Sequence, residues 1–135
     1  MKLVKAWEEK GVEVPSPYQR TIKVFFAPDR GGVDVINFSH ALIPAQGRTD
    51  YHAHDRPELI YIVSGSGMCI HDGEETAVTA DMILWVLAGE KHQIINTGYE
   101  QLKLATVFIP AYKAADLTSR CVDAANSAAS RPGKG

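Results

Sequence analysis

Four residues of this chain have the types and spacings that can hold a metal ion: His52, His54, Glu58 and His92. In an extended strand successive side chains alternate faces, so His52 and His54 would point the same way with Cα atoms about 6–7 Å apart. Two imidazoles at that separation can grip one ion from a single strand. Glu58 follows a turn-like interruption, Asp55-Arg56-Pro57, and opens the next apolar run, from which its carboxylate can swing back to the same ion. A fourth donor must come from elsewhere. His92 stands in a comparable context, just past Ala88-Gly89, where a turn lets the chain re-enter the body of the fold. Imidazole and carboxylate donors suit one first-row divalent ion, here iron, manganese, nickel, cobalt or zinc, whereas a closed structural zinc site is more often thiolate-rich. Four protein donors on an octahedral ion leave two positions open, where a small ligand can chelate.

The elements around these residues read as short strands. Apolar runs of strand length fall at 22–26, 33–43, 50–54, 59–64, 68–71, 76–79, 82–87, 93–96 and 102–109. Between them lie breakers: Pro28 to Gly32, Pro44 to Gly47, Ser64-Gly65-Ser66-Gly67, Asp72-Gly73 and Asn96-Thr97-Gly98. Asp72-Gly73 between Cys69–His71 and Thr76–Val78 is a hairpin signal. Many short strands and little helix predict an all-β sandwich or barrel. Residues 1–20, with Pro15 and Pro17, read as an N-terminal arm that is irregular apart from a short strand near Leu3, and 21–110 as the barrel. After Pro110 the composition turns to Ala, Ser and small polar residues. Leu117, Cys121, Ala124, Ala125 and Ala128 keep helical spacing, so 111–135 reads as a short helix with a disordered tail from 127 onward.

The segment GRTDYHAHDRPELIYIVSGSG resembles the cupin superfamily, in particular its small single-domain barrels. The first motif of that family is a Gly, then His-x-His, a Glu and a Gly, matched here by His52, His54, Glu58 and Gly65. Gln46 stands at the motif's first Gly. The second motif is matched by Gly89, His92 and Asn96, with Asp81 at its first Gly and Leu87 at its Pro. These departures fall in turns, not among ligands; Asp tolerates some turn conformations that Gly serves. The resemblance covers about residues 20–110. It implies a double-stranded β-helix (jelly-roll) barrel with a small-molecule site at its mouth, and a homodimer.

The remaining polar residues read more plainly. His40 shares a strand face with Ile36, Phe38 and Leu42, while Asn37, Ser39 and Ala41 on the other face suit a pocket lining, which places His40 away from the ion. His71 is a hairpin-end residue. Asp50 shares the parity of His52 and His54 and can support a metal-bound ligand. Arg48 shares it too, nearer the loop, where solvent is as good a partner. Tyr51 and Lys91 face away from the site. Trp85, Phe25, Phe26 and Phe108 read as core or interface, and Glu74-Glu75 as a solvated flank.

Composition excludes several classes. The 135 residues suit one domain, and 45 % hydrophobic with 22 % charged residues is ordinary for a globular chain. A net charge of −2 gives no nucleic-acid or anionic-membrane surface. The longest apolar stretch, near Met82 to Gly89, is far below the ~20 residues of a membrane span. MKLVKAWEEK turns acidic too early for a secretory leader, and Cys69 and Cys121 lack metal or redox spacing, so a cytoplasmic protein with reduced thiols is expected. Phe25 or Phe26 and the Ile36, Phe38 and Leu42 face would be covered in a homodimer. Three functions follow from the site: a metal-dependent enzyme of dioxygenase, lyase or decarboxylase, or isomerase type acting on a small oxygenated metabolite; a metal-containing sensor or storage protein; and a barrel with a structural metal. The absence of a DNA-binding segment weighs against the sensor, and the full ligand set against the structural metal.

Overall fold

The computed structural model describes residues 1–131 of the chain. Its strands are β1 (Val12–Val14), β2 (Arg20–Phe26), β3 (Asn37–Ile43), β4 (Glu58–Ser64), β5 (Ser66–His71), β6 (Glu74–Thr79), β7 (Ile83–Val86), β8 (His92–Ile95) and β9 (Leu102–Phe108). One helix, α1 (Ala114–Ala129), follows. A six-stranded sheet in the order β1-β2-β3-β9-β4-β7 faces a three-stranded sheet in the order β6-β5-β8. All pairings between these strands are antiparallel. Among the described residues, no helix is long and apolar enough to cross a membrane.

Alternation along the strands decides what faces inward. On β9, Leu102, Leu104, Thr106 and Phe108 are buried, and on β4, Glu58, Ile60 and Ile62. Leu102, Leu104, Ile60 and Ile62 meet Cys69, Val78 and Ile94 of the smaller sheet in one apolar core, which also takes in Ile43 and Val86. A second core joins Val14, Ile22, Val24, Ala27 and Phe108 to Leu117, Cys121 and Ala125 of α1. Helical spacing thus carried α1 onto the large sheet. Its start has no side-chain cap of its own; instead Asp29 accepts from the Ala114 and Ala115 N–H groups at 2.6 and 3.1 Å. Those orphan donors and the positive end of the helix suit a carboxylate, and the Ala114 bond holds Asp29 below the usual carboxylate range.

Several expected boundaries move. No strand forms near Leu3; a 3-10 turn spans Ala6–Glu8, and the N-terminal segment pairs only through β1. The run 33–43 begins as a strand at Asn37, because Val33 N–H bonds back to the Ala27 carbonyl and closes a loop in which Gly31 and Gly32 have positive φ. Residues 50–54 form no regular strand. Only His52 bridges, to His92. Helix α1 runs through Ala129, so the disorder expected from 127 does not begin there; residues 132–135 lie outside the described residues.

Candidate metal centre

The loop after β3 and the start of β8 are zipped together. Thr49 N–H bonds to the Ile94 carbonyl, Asn96 N–H to the Gly47 carbonyl, and His52 and His92 exchange both backbone bonds at 3.1 and 2.9 Å. That exchange sets the two imidazoles side by side, with ring centroids 4.5 Å apart. His54 follows, its ring 4.6 Å from that of His52 and edge-on to Phe108 at 4.7 Å. Glu58 opens β4, paired in register with Phe108 and Val86. The loop between His54 and Glu58 is fixed by Arg56, which donates to the Pro110 and Ala111 carbonyls and lies 3.6 Å over the Tyr112 ring. Tyr112 in turn donates to Asp55 at 2.5 Å.

Turns deliver the second half of the site. Gly89 has φ +80° in the turn that bonds Glu90 N–H to the Leu87 carbonyl, and Gly89 N–H donates to the His54 carbonyl at 2.8 Å. Gln46 and Asp81, the two residues at expected Gly positions, have φ +67° and +71°. The backbone therefore keeps the glycine conformation without the glycine. Asn96, fully buried, is a scaffold residue: it donates to the Ile43 and Glu100 carbonyls and accepts from Gly98 N–H.

One ligand atom from each of His52, His54, Glu58 and His92 lies within 4.8 Å of the others. Glu58 Oε1 is 3.2 Å from His92 Nε2 and 3.7 Å from His54 Nε2. Donors about 2.1 Å from an ion sit about 3.0 Å apart when adjacent and about 4.2 Å apart when opposite, so the four need only a small contraction to share one. His52 Nδ1 faces the Asp50 carbonyl at 2.7 Å and His92 Nδ1 the Glu90 carbonyl at 2.9 Å. Each Nδ1 therefore carries its proton, and Nε2 is left to ligate. Burial pushes His52 down to about 4 and His54 down to about 3, so both are neutral at pH 7, the ligating form. Burial also opposes a charge on His92, but its hydrogen bonds to Glu58 and to the Glu90 carbonyl outweigh this and raise its pKa. The same Glu58 oxygen and His92 Nε2, 3.2 Å apart, are the atoms a shared cation would draw on.

The cluster opens on a cavity of about 60 Å³ walled by Ile60, Ile94, Leu104 and Phe108. Ser39 and Thr106 line it, as do Leu117, Arg120 and Cys121 of α1. Asp50 stands outside the four-donor cluster. Its carboxylate takes Arg120 Nη1 at 3.0 Å and Arg20 Nη2 at 3.5 Å, while its carbonyl orients His52. His40 is turned into an aromatic group with Phe25 and Phe38, at 4.8 and 5.8 Å, on the strand face opposite Ser39. His71 bonds with Thr76 Oγ1 at 2.8 Å. Arg48, Tyr51 and Lys91 are exposed. Arg120 carried one sequence signal: spaced between Leu117 and Cys121, it is a charge at the edge of an apolar helical stripe.

Residues 39–108 match the family described as Cupin domain. No curated protein sequence matches the chain. Among solved structures, a predicted oxalate decarboxylase from Thermotoga maritima is 20 % identical, covering 81 % of this chain and 99 % of that one, with a TM-score of 0.73. The polyketide cyclase RemF from Streptomyces resistomycificus is 20 % identical over 81 % of this chain and 79 % of its own, with a TM-score of 0.72. The ectoine synthase from P. lautus is 19 % identical over 89 % and 86 %, with a TM-score of 0.73. At these identities the likeness is one of fold.

Proposed function

We propose that this chain, which belongs to the cupin domain family, is a mononuclear metal-dependent enzyme acting on a small oxygenated metabolite. The observation that carries the reading is the convergence of His52, His54, Glu58 and His92 within 4.8 Å at a walled cavity. Those four residues would hold one first-row divalent ion. When bound, such an ion supplies a Lewis acid or a dioxygen centre to a ligand at its open positions. The chain's own residues supply the rest. The Asp50 and Glu90 carbonyls aim His52 and His92, and Glu58 gives the site its negative charge. Ile60, Ile94, Leu104 and Phe108 give the cavity an apolar wall that lowers the local dielectric.

The test is turnover. Keto acids, β-dicarbonyls, catechols and sugar acids are offered to iron-, manganese-, nickel- and zinc-loaded protein, with and without air. Oxygen consumption marks a dioxygenase; anaerobic product marks a lyase, decarboxylase or isomerase. Tight binding in every metal form with no conversion favours the ligand-binding alternative. The same reading makes the protein a cytoplasmic homodimer. Free Cys69 and Cys121 support the compartment. Phe25 is buried, but Phe26, Ile36, Phe38 and Leu42 are half-buried, and Ile83 and Trp85 on the edge strand β7 are 62 % and 53 % exposed; both surfaces support pairing. Light scattering after size exclusion decides between one chain and two.

A further inference from the structure

The cavity contains polar groups that the metal centre does not use. Ser39 on β3 is 2 % exposed, lines the cavity with the four ligands, and its Oγ has no hydrogen-bond partner among the described residues. A buried hydroxyl left unpaired is unfavourable unless a ligand completes it. Arg120 reaches the same cavity from α1. Its two terminal nitrogens are on Asp50, at 3.0 and 3.5 Å, yet its buried Nε also lacks a partner. Two unmet polar groups, from β3 and from α1, line one cavity and point to a ligand that pairs both.

Charge says what kind. Asp50 and Glu58 match Arg20 and Arg120, so a divalent ion in the cluster leaves two positive charges unbalanced at an apolar-walled cavity. An anionic ligand would balance them. A planar carboxylate matches the fork of a guanidinium donor, and a second oxygen beside it lets the same small molecule reach a further polar group of the cavity. We infer that the cavity takes a small carboxylic acid bearing a second oxygen, such as a 2-hydroxy or 2-keto acid. Its carboxylate accepts from Arg120 and its other polar atoms pair with Ser39. This assignment rests on the metal-enzyme reading and narrows its substrate class.

Two- to four-carbon 2-hydroxy and 2-keto acids, with lactate and pyruvate as first probes, are titrated by calorimetry into zinc-loaded protein beside their amides. The acids bind tighter than the amides in wild type, and Arg120→Gln shrinks that ratio about tenfold or more, the loss of a charge-assisted hydrogen bond. Ser39→Ala weakens acid binding several-fold without lowering the unfolding midpoint, since Ser39 Oγ has no partner to lose. If Arg120→Gln does not fold, Arg120→Lys keeps the charge beside Asp50 but removes the Nε donor, and the ratio still falls. An unchanged ratio in a folded Arg120 variant overturns the inference. So does a wild type in which no acid outbinds its amide, or in which inorganic phosphate binds as tightly as the best acid. Zinc content is measured on the same samples. Protein that holds no zinc refutes the metal centre, and the acid-to-amide ratio of that zinc-free protein, wild type against Arg120→Gln, then decides the carboxylate assignment.

Discussion

Replacing Asp50 by Asn separates the structural ion cluster from the candidate metal donors. Asp50 is buried, and its carboxylate faces Arg120 at 3.0 Å and Arg20 at 3.5 Å. Burial raises its pKa, but the Arg120 hydrogen bond and neighbouring positive charge outweigh that and hold it below the usual carboxylate range. Asn keeps the shape and loses the charge, leaving two guanidinium groups facing each other. Removing one partner of a fully buried pair costs about 3–5 kcal/mol. The Arg20 side chain is 3 % exposed but that of Arg120 is 34 %, so the lower end, about 3 kcal/mol, applies. For a chain of this size that is a fall of about 10 °C in Tm. Urea unfolding at pH 7 measures it, and adding Arg120→Gln to Asp50→Asn recovers part of the loss in a double-mutant cycle. Because the folded pKa is depressed, the stabilisation is present above about 3.9, the unfolded Asp value, and is lost as pH falls through the folded value. Zinc retention stays near wild type, since His52 is oriented by the Asp50 carbonyl, which Asn also has. A variant within about 0.5 kcal/mol of wild type would refute the ion-cluster argument.

Two further outcomes follow from the geometry. Gln46→Gly stabilises the protein by about 0.5–1 kcal/mol in chemical unfolding, because φ +67° strains any residue with a Cβ; a destabilised variant contradicts the turn assignment. The metal-free protein loses about 3 kcal/mol between pH 7.5 and pH 5: His52 and His54 titrate near 4 and 3 when folded but near 6.5 when unfolded, so the unfolded state takes up more protons as pH falls. His92, with a raised pKa, opposes them with stability present below 6.5 and lost above it, one group against two. Equal urea midpoints at the two pH values contradict the buried, neutral imidazoles.

The convergence of the four candidate donors was legible because metal binding would restrict side-chain type and spacing, and three of the four lie within seven residues of sequence. Most strands were legible for a similar reason: burial on one face writes a period of two into the chain. Where the reading missed, tertiary bonds had replaced the local pattern. Asp50 to His54 alternates like a strand, yet its backbone pairs only at His52, and Arg56 beyond it is tied to the Pro110 and Ala111 carbonyls. The contribution of α1 to the cavity depends on helix docking and on Asp29 at its start, eighty-five residues from Ala114, which no local spacing announces. Alternation puts Ser39 on the pocket side of its strand, but its lack of a partner is a property of the packed cavity.

The most direct test of the metal centre is elemental analysis of protein purified without chelator, wild type beside His54→Ala. His54 contributes an Nε2 3.7 Å from Glu58 Oε1 and is buried against Phe108, so its loss opens the cluster while three donors remain. The account predicts about one iron, manganese, nickel, cobalt or zinc per wild-type chain and a sharp fall in the variant, with circular dichroism showing the barrel intact. Metal-free wild type, or metal content unchanged in folded His54→Ala, would contradict it.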